Sequence, residues 1–564
     1  MHVYHVNVHH QTRGGWFGYL GGTALLFVTV FWQLGSPTFW DPDEAHYAET
    51  TRELITSGDW LAPTFNGQPF FDKPVLFHWL QAVPMRLLND PEWAARLIPA
   101  IACVFLVVLT WWLGSTLGTR EEGRLAALIV ALNPGVFGLA RYAILDAVFA
   151  LFLFGGISLV AVSALRDRPQ LQYPGYVLIG LAVFTKGPVA LVLCAGALCL
   201  VAAVSTDVRQ RFFRLRLGVG LVIVAGVAAP WFVYMTIRFG RDFITGYFLQ
   251  ENLLLFARAP YRNQPPWYFY PEIITLGFLP WTALIAGSLW DTTRTRPRQL
   301  QNVDLLLWGW TVAVVGLFSA SSFKLDHYIF PVTPALALIC ARAWNATPHR
   351  EGGPSRGTRT GKMLVGPTCA VLGIVLAAVV VAFGLRRALL TPAAGLVAAG
   401  VATTVRRRQS GSVPTAILGS LGLLYAAVIV WVIPDIDRLK VIPEVAAWVA
   451  HEAHPADRVA SYRLNRWTSA FRFYVDRPVA LLDGDDETRK FFVDDSAFFC
   501  VMTRDAYDQL RKAGVSMKIA HSREGLWATS GDVLRPDRFR TTEFVVAVSA
   551  SGEHRHAASR RPRD

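Results

Sequence analysis

The chain is 564 residues long, 53% hydrophobic and only 17% charged, with a net charge of +13 and a mean hydropathy of +0.35. A soluble protein carries about a quarter charged residues, so an ordinary soluble domain is excluded and a membrane protein is expected. The arginines sit in short connectors between apolar runs; that is the pattern of topology determinants and argues against a nucleic-acid surface.

Residues 1–13 are polar and contain four histidines. They read as a mobile polar terminus, with a histidine metal site as the alternative. The apolar run that follows is too long for a signal-peptide core and reads as a first spanning helix. A span needs about 20 mostly apolar residues. Candidates lie near 15–35, 96–115, 123–140, 144–165, 173–185, 188–204, 217–237, 270–289, 303–320, 328–344, 363–383, 387–404 and 413–433, about thirteen in all. With the N-terminus inside, the inner connectors hold the arginine clusters, such as Arg209, Arg211, Arg214 and Arg216. The short outer connectors hold only Arg141, Lys186, Lys324, Arg386 and Arg387. This alternation places a first loop (36–92), a second loop (239–269) and everything after Pro434 outside. The expected setting is an inner (plasma) membrane with a cytoplasmic N-terminus.

Beyond 435 the composition changes. Segments 441–453, 465–475 and 505–513 read as helices, and 457–462, 478–482 and 497–502 as short strands. The expected organisation is a transmembrane domain over 1–434, an outer α/β domain over 435–550, and a disordered tail over 551–564. Five of the six cysteines lie in apolar runs, and no CxxC or Cys/His cluster is present, so a disulfide framework and a zinc ribbon are unsupported.

The first outer loop is net −6 in a chain of net +13: nine acidic residues (Asp41, Asp43, Glu44, Glu49, Glu53, Asp59, Asp72, Asp90, Glu92) face three basic ones (Arg52, Lys73, Arg86). In Asp41-Pro42-Asp43-Glu44, Asp41 suits a helix cap and Pro42 a first helical position. One reading is a capped interfacial helix presenting Tyr47. The other is that Asp43 or Glu44 acts on an acceptor where a lipid headgroup would sit. In Phe70-Phe71-Asp72-Lys73-Pro74, a lysine precedes a helix that Pro74 would open. Free N–H groups and Lys73 together would bind an anion; the alternative is a lysine paired with Asp72. Arg141 and Asp146 flank an outer boundary, either as an ion pair or as functional groups, since intramembrane ionisable residues are costly. Lys186 and Lys324 add positive charge on the same side.

The run DEAHYAETTRELITSGDWLAPTFNGQPFFDKPVLFHW resembles the first outer loop of the bacterial aminoarabinose transferases that modify lipid A. These belong to the wider protein O-mannosyltransferase-like superfamily with the GT-C fold. The shared pattern is Asp43, Glu44, Tyr47, Ala48, Glu49, Arg52, Glu53, then Ser57-Gly58-Asp59-Trp60, Pro63, Lys73-Pro74 and Trp79. Weaker echoes continue through Arg141 to Asp146, Thr185-Lys186-Gly187, Glu251, Pro266-Trp267-Tyr268, Gly277 to Trp281, and Lys324-Leu325 with Tyr328 and Pro331.

The resemblance implies an all-α GT-C bundle with outer juxtamembrane helices and a small C-terminal α/β domain. It implies inverting transfer of a sugar from a polyprenyl-phosphate donor to a lipid or glycan acceptor, lipid A-like among them. Asp43 matches the catalytic aspartate and Lys73 the donor-phosphate lysine, with Lys186, Lys324, Arg258 and Tyr328 as companions. A protein O-glycosyltransferase, a lipid-linked sugar flippase and an inactive scaffold are the alternatives. A flippase would show internal repeats and midplane ionisable sites, and neither is evident in the sequence. The chain departs from the family at Phe70, Asp72 and Glu251-Asn252. The last of these replaces a Glu-His pair that helps hold a metal in the aminoarabinose enzymes. The resemblance makes no cofactor certain; a divalent metal is the option it leaves, with Asp72 and Glu251 as oxygen donors suited to Mg²⁺ or Mn²⁺.

Overall fold

A computed structural model describes residues 14–258, 264–296, 299–346, 355–405, 414–464, 468–493, 496–526 and 541–549. The N-terminal histidines and the tail over 551–564 lie outside the described residues. The chain opens with helices α1 (Gly14–Val30), α2 (Asp43–Ser57), α3 (Leu76–Leu87), α4 (Pro91–Leu117), α5 (Arg120–Ala131), α6 (Pro134–Ala140), α7 (Asp146–Leu165), α8 (Gln172–Lys186) and α9 (Val189–Val204).

Seven of the described helices are long and apolar enough to cross a membrane: Pro91–Leu117, Asp146–Leu165, Leu217–Phe239, Asn302–Ala320, Arg356–Ala382, Arg387–Val405 and Thr415–Asp437. The other expected spans are short or broken. The 123–140 candidate is α5 and α6, bent by 58°. The bend is local chemistry: Pro134 cannot donate to the preceding turn, and Asn133 caps the new helix by accepting the Gly135 N–H at 2.9 Å. The 270–289 candidate divides into helices Phe269–Gly277 and Thr282–Arg294, with Pro280 in the gap. Helices approach closely where side chains are small. A Cβ on Gly114 would stand 2.7 Å from the Cα of Gly123, so α4 and α5 meet backbone to backbone.

From Ile442 the chain builds a five-stranded sheet. Its strands β3 (Arg458–Tyr462), β4 (Ala480–Leu482), β5 (Phe498–Thr503), β6 (Met517–Leu526) and β7 (Thr541–Ser549) follow a two-strand hairpin, β1 (Thr64–Phe65) and β2 (Gln68–Pro69), in the first loop. The sheet order is β4-β3-β5-β7-β6. β3 pairs parallel with β4 and β5, and β7 pairs antiparallel with β5 and β6. Helix Asp485–Val493 and strands β6 and β7 were not among the expected elements. β6 is an edge strand with many exposed positions, so its sequence lacks the apolar alternation that marks a strand.

This sheet unit is tied to the first outer loop. The Tyr474 hydroxyl accepts the Phe39 N–H and donates to Glu92, both at 2.7 Å. Lys440 donates to the Thr38 carbonyl at 2.7 Å and lies over the Trp40 ring. Arg472 reaches Glu49 at 3.1 Å and Glu53 at 2.8 Å. The expected Asp41 cap is corrected here. α2 begins at Asp43, and buried Asp41 accepts the Ala470 N–H at 2.8 Å instead. Burial, only partly offset by that bond and by Lys440, holds its carboxyl well above the usual range.

Candidate active site

Two neighbouring carboxylates at the start of α2 have different fates. Glu44 is fully buried. It binds Arg96 through Oε1 at 2.6 Å and Oε2 at 2.9 Å, and accepts the Trp40 and Ala143 N–H groups at 2.9 Å. All its acceptor capacity goes to holding the loop, so Glu44 is a structural residue and the expectation of a catalytic role for it is corrected. Asp43, half-buried in the first helical turn, acts electrostatically on the Tyr47, Tyr142 and Tyr328 hydroxyls.

Those tyrosines adjoin a shared cluster of charged side chains. Burial, followed by Asp146, Asp43 and Asp72, holds the Tyr47 phenol well above its ordinary value. Asp146, at the N-terminus of α7, pairs with Lys186 at the C-terminus of α8. The Lys186 ammonium stands 4.4 Å from the centroid of the Tyr328 ring and 5.3 Å from that of Phe149. Gly187 makes the sharp exit from α8: its φ is +90°, and a Cβ there would collide with the Tyr247 hydroxyl. Lys73 lies within electrostatic range of both Asp146 and Lys186. Its ammonium donates to the Asp72 carbonyl at 2.9 Å and meets Glu251 at 3.4 Å. Lys73 therefore pairs with Glu251 from the second loop and not, as the alternative reading had it, with the Asp72 carboxylate. Burial raises Glu251; Lys73 opposes that shift and Asp72 adds to it.

The structure thus brings Asp43, Tyr47, Asp72, Lys73, Asp146, Lys186, Glu251 and Tyr328 into one neighbourhood from six separate segments. Three other expected residues stand apart. Arg141 donates to the Trp32 and Gln33 carbonyls at 2.8 Å, closing the loop after α1, and does not pair with Asp146. Lys324 donates to the Ser321 carbonyl at 2.5 Å, at the negative end of helix Asn302–Ala320. Arg258 is exposed where the second-loop helix ends.

One residue of this cluster was passed over in the sequence. His327 holds Asp326 through Nδ1 at 3.1 Å, and its Nε2 lies 3.7 Å from Asp146. Its only sequence signal was its place between Lys324 and Tyr328, beside an acidic neighbour. Burial disfavours its imidazolium, but Asp146 and Asp326 outweigh that and raise His327 above its ordinary value.

Residues 22–245 match the dolichyl-phosphate-mannose-protein mannosyltransferase family. An undecaprenyl phosphate-alpha-4-amino-4-deoxy-L-arabinose arabinosyl transferase of Edwardsiella ictaluri (strain 93-146) is 31% identical over 336 residues, 58% of this chain and 59% of that protein. One from Sodalis glossinidius (strain morsitans) is 31% identical over 337 residues, covering 58% of each. The chain thus aligns with less than two thirds of the length of these relatives. Among solved structures, apo ArnT from Cupriavidus metallidurans superposes with a TM-score of 0.74 at 20% identity, over 96% of this chain and 99% of that one. The chain has the fold of an aminoarabinose transferase. The ArnT structure bound to undecaprenyl phosphate matches at a TM-score of 0.71 over 95% of this chain and 98% of that one. The sequence resemblance and the fold agree on the GT-C fold of the aminoarabinose transferases.

A metal of the kind that family uses does not fit this site. Among the described residues no group of three or more His, Cys, Asp or Glu side chains could hold one. The carboxylate of Glu251 already faces the Lys73 ammonium, and Asn252 donates to the Tyr247 carbonyl at 2.7 Å.

Proposed function

We propose that the chain is a polyprenyl-phosphate-dependent glycosyltransferase. It would transfer a sugar to a lipid or glycan acceptor, lipid A-like in the first instance, at the outer face of an inner membrane. The observation that carries this reading is that Lys73, paired with Glu251, and Lys186, paired with Asp146, lie within electrostatic range of each other in one charged cluster that also takes in Asp43. A phosphate carried on a membrane lipid needs such a cationic seat at the membrane boundary.

In the proposed reaction the bond between the sugar's anomeric carbon and the carrier phosphate breaks, and its electron pair stays on the phosphate oxygen. The negative charge that grows there is met by Lys73 and Lys186, so both cations stabilise the transition state more than the bound ground state. The acceptor oxygen attacks from the opposite face and inverts the centre. If the acceptor is a hydroxyl, Asp43 takes its proton as general base; if it is a phosphate, Asp43 orients it. The basic connectors, read with a cytoplasmic N-terminus, support placing this cluster on the outer side. Expressing the protein in a strain lacking its gene, followed by mass spectrometry of lipids and glycans, tests the reading. The expected result is one sugar-modified envelope species that disappears on deletion and returns with the wild-type gene but not with Asp43→Asn. An unchanged lipid and glycan profile after deletion would overturn it.

A further inference from the structure

The charged cluster contains a buried charge problem. Lys186 and Asp146 bind each other, with side-chain exposures of 9% and 7%. On the proposed function, on which this inference rests, Lys186 must turn to an incoming phosphate. That leaves Asp146 as a buried carboxylate without its partner, a strongly unfavourable state. A replacement cation must therefore already be in place.

The candidate is on the other side of the same carboxylate. Lys186 holds Oδ1 of Asp146, while His327 Nε2 lies 3.7 Å from Oδ2. At that distance the contact is electrostatic; a closure of about 1 Å would make it a hydrogen bond. The ring is held for this purpose by Asp326, whose Oδ1 receives the His327 backbone N–H at 2.8 Å and faces Nδ1 at 3.1 Å. The Tyr328 ring packs edge-on to the imidazole at 5.3 Å. The charged groups facing His327 are Asp146 from α7, Lys186 from α8 and Asp326 from its own turn.

We propose that His327 is a positioning residue that takes over the Asp146 carboxylate when Lys186 transfers to the carrier phosphate. The imidazolium then neutralises Asp146, and Lys186 is free to serve the phosphate. The neutral imidazole cannot do this, so carrier binding weakens as His327 loses its proton.

The test measures binding of undecaprenyl phosphate to the purified full chain across pH 5.5–9 for wild type, His327→Gln and His327→Lys. The carrier's own phosphate also titrates in this range, so the readout is the difference between each variant and wild type. His327→Gln is expected to bind about tenfold more weakly than wild type on the acid side, the equivalent of one pKa unit. It should lack the extra alkaline decline of the wild type. His327→Lys, whose charge persists, should keep the acid-side affinity to higher pH. Should His327→Gln fail to fold, the comparison of wild type with His327→Lys decides: a later alkaline decline supports the proposal, and identical profiles overturn it. His327→Gln binding like wild type at every pH also overturns it while leaving the proposed function intact. Wild type that binds no undecaprenyl phosphate at any pH overturns both.

Discussion

Asp43 and Glu44 are adjacent and on the same helical turn, yet their surroundings differ, and Asp43 is only half-buried. Glu44 is fully enclosed by Arg96 and backbone amides. Asp43→Asn should therefore leave a folded protein with turnover at least about a hundredfold lower, the range of lost general-base catalysis; near-normal activity would remove it from the mechanism. Lys73→Ala should lower kcat/KM by about a hundredfold or more, as for loss of a charge-stabilising group. Lys73→Arg should retain part of it, since charge survives and geometry does not. Steady-state kinetics with a polyprenyl-phosphate donor separates the two variants. His78 gives a different prediction. Its ring is fully buried and contacts Thr51 at 2.7 Å. Burial and then His46 push His78 down to about 3. The folded chain keeps it neutral, while the unfolded chain takes up a proton below about pH 6.5. Stability from this residue is complete above that pH and falls by ~1.4 kcal/mol per unit as pH drops toward 3. Thermal unfolding between pH 7 and 5 should show a steeper loss for wild type than for His78→Gln.

Helix Thr468–Val475 of the C-terminal unit acts on α2, the helix that carries Asp43. Arg472 is 9% exposed and links to Glu49 and Glu53, while Arg52 pairs back to Asp476. Removing one partner of a buried ion pair costs about 3 kcal/mol or more, because the remaining charge stays enclosed. Arg472→Ala should lower the unfolding temperature and reduce turnover together, since both follow from loosening α2. An unchanged unfolding temperature would show that the two units are energetically independent. The helices themselves were readable along the chain wherever an apolar run ended at a proline, glycine or arginine cluster. Their internal breaks were harder to read. The 58° bend between α5 and α6 lies inside one continuous apolar run, where composition reports solubility in a bilayer and not direction. Polar β6 was unreadable because an edge strand answers to its backbone partner, not to a buried face.

Over the whole molecule, the orientation proposed from the basic connectors places the first loop and the C-terminal sheet on the same outer side. A cysteine introduced at exposed Asp486 should react with a membrane-impermeant thiol reagent added from outside intact spheroplasts; protection there with reactivity from the cytoplasmic side would reverse the topology. The sequence by itself determined the membrane class, the helical runs and the candidates Asp43, Lys73, Asp146 and Lys186, because hydropathy and charge are local properties that each segment displays without its neighbours. It also carried the resemblance to aminoarabinose transferases in an uninterrupted loop. Only the tertiary structure decided how those candidates are paired. Lys73 faces Glu251 across 178 positions of sequence, Asp146 takes Lys186 and not Arg141, and Glu44 is enclosed by Arg96. An ion pair is set by distance in space and by what else competes for each charge, and neither is written in the spacing of residues along the chain.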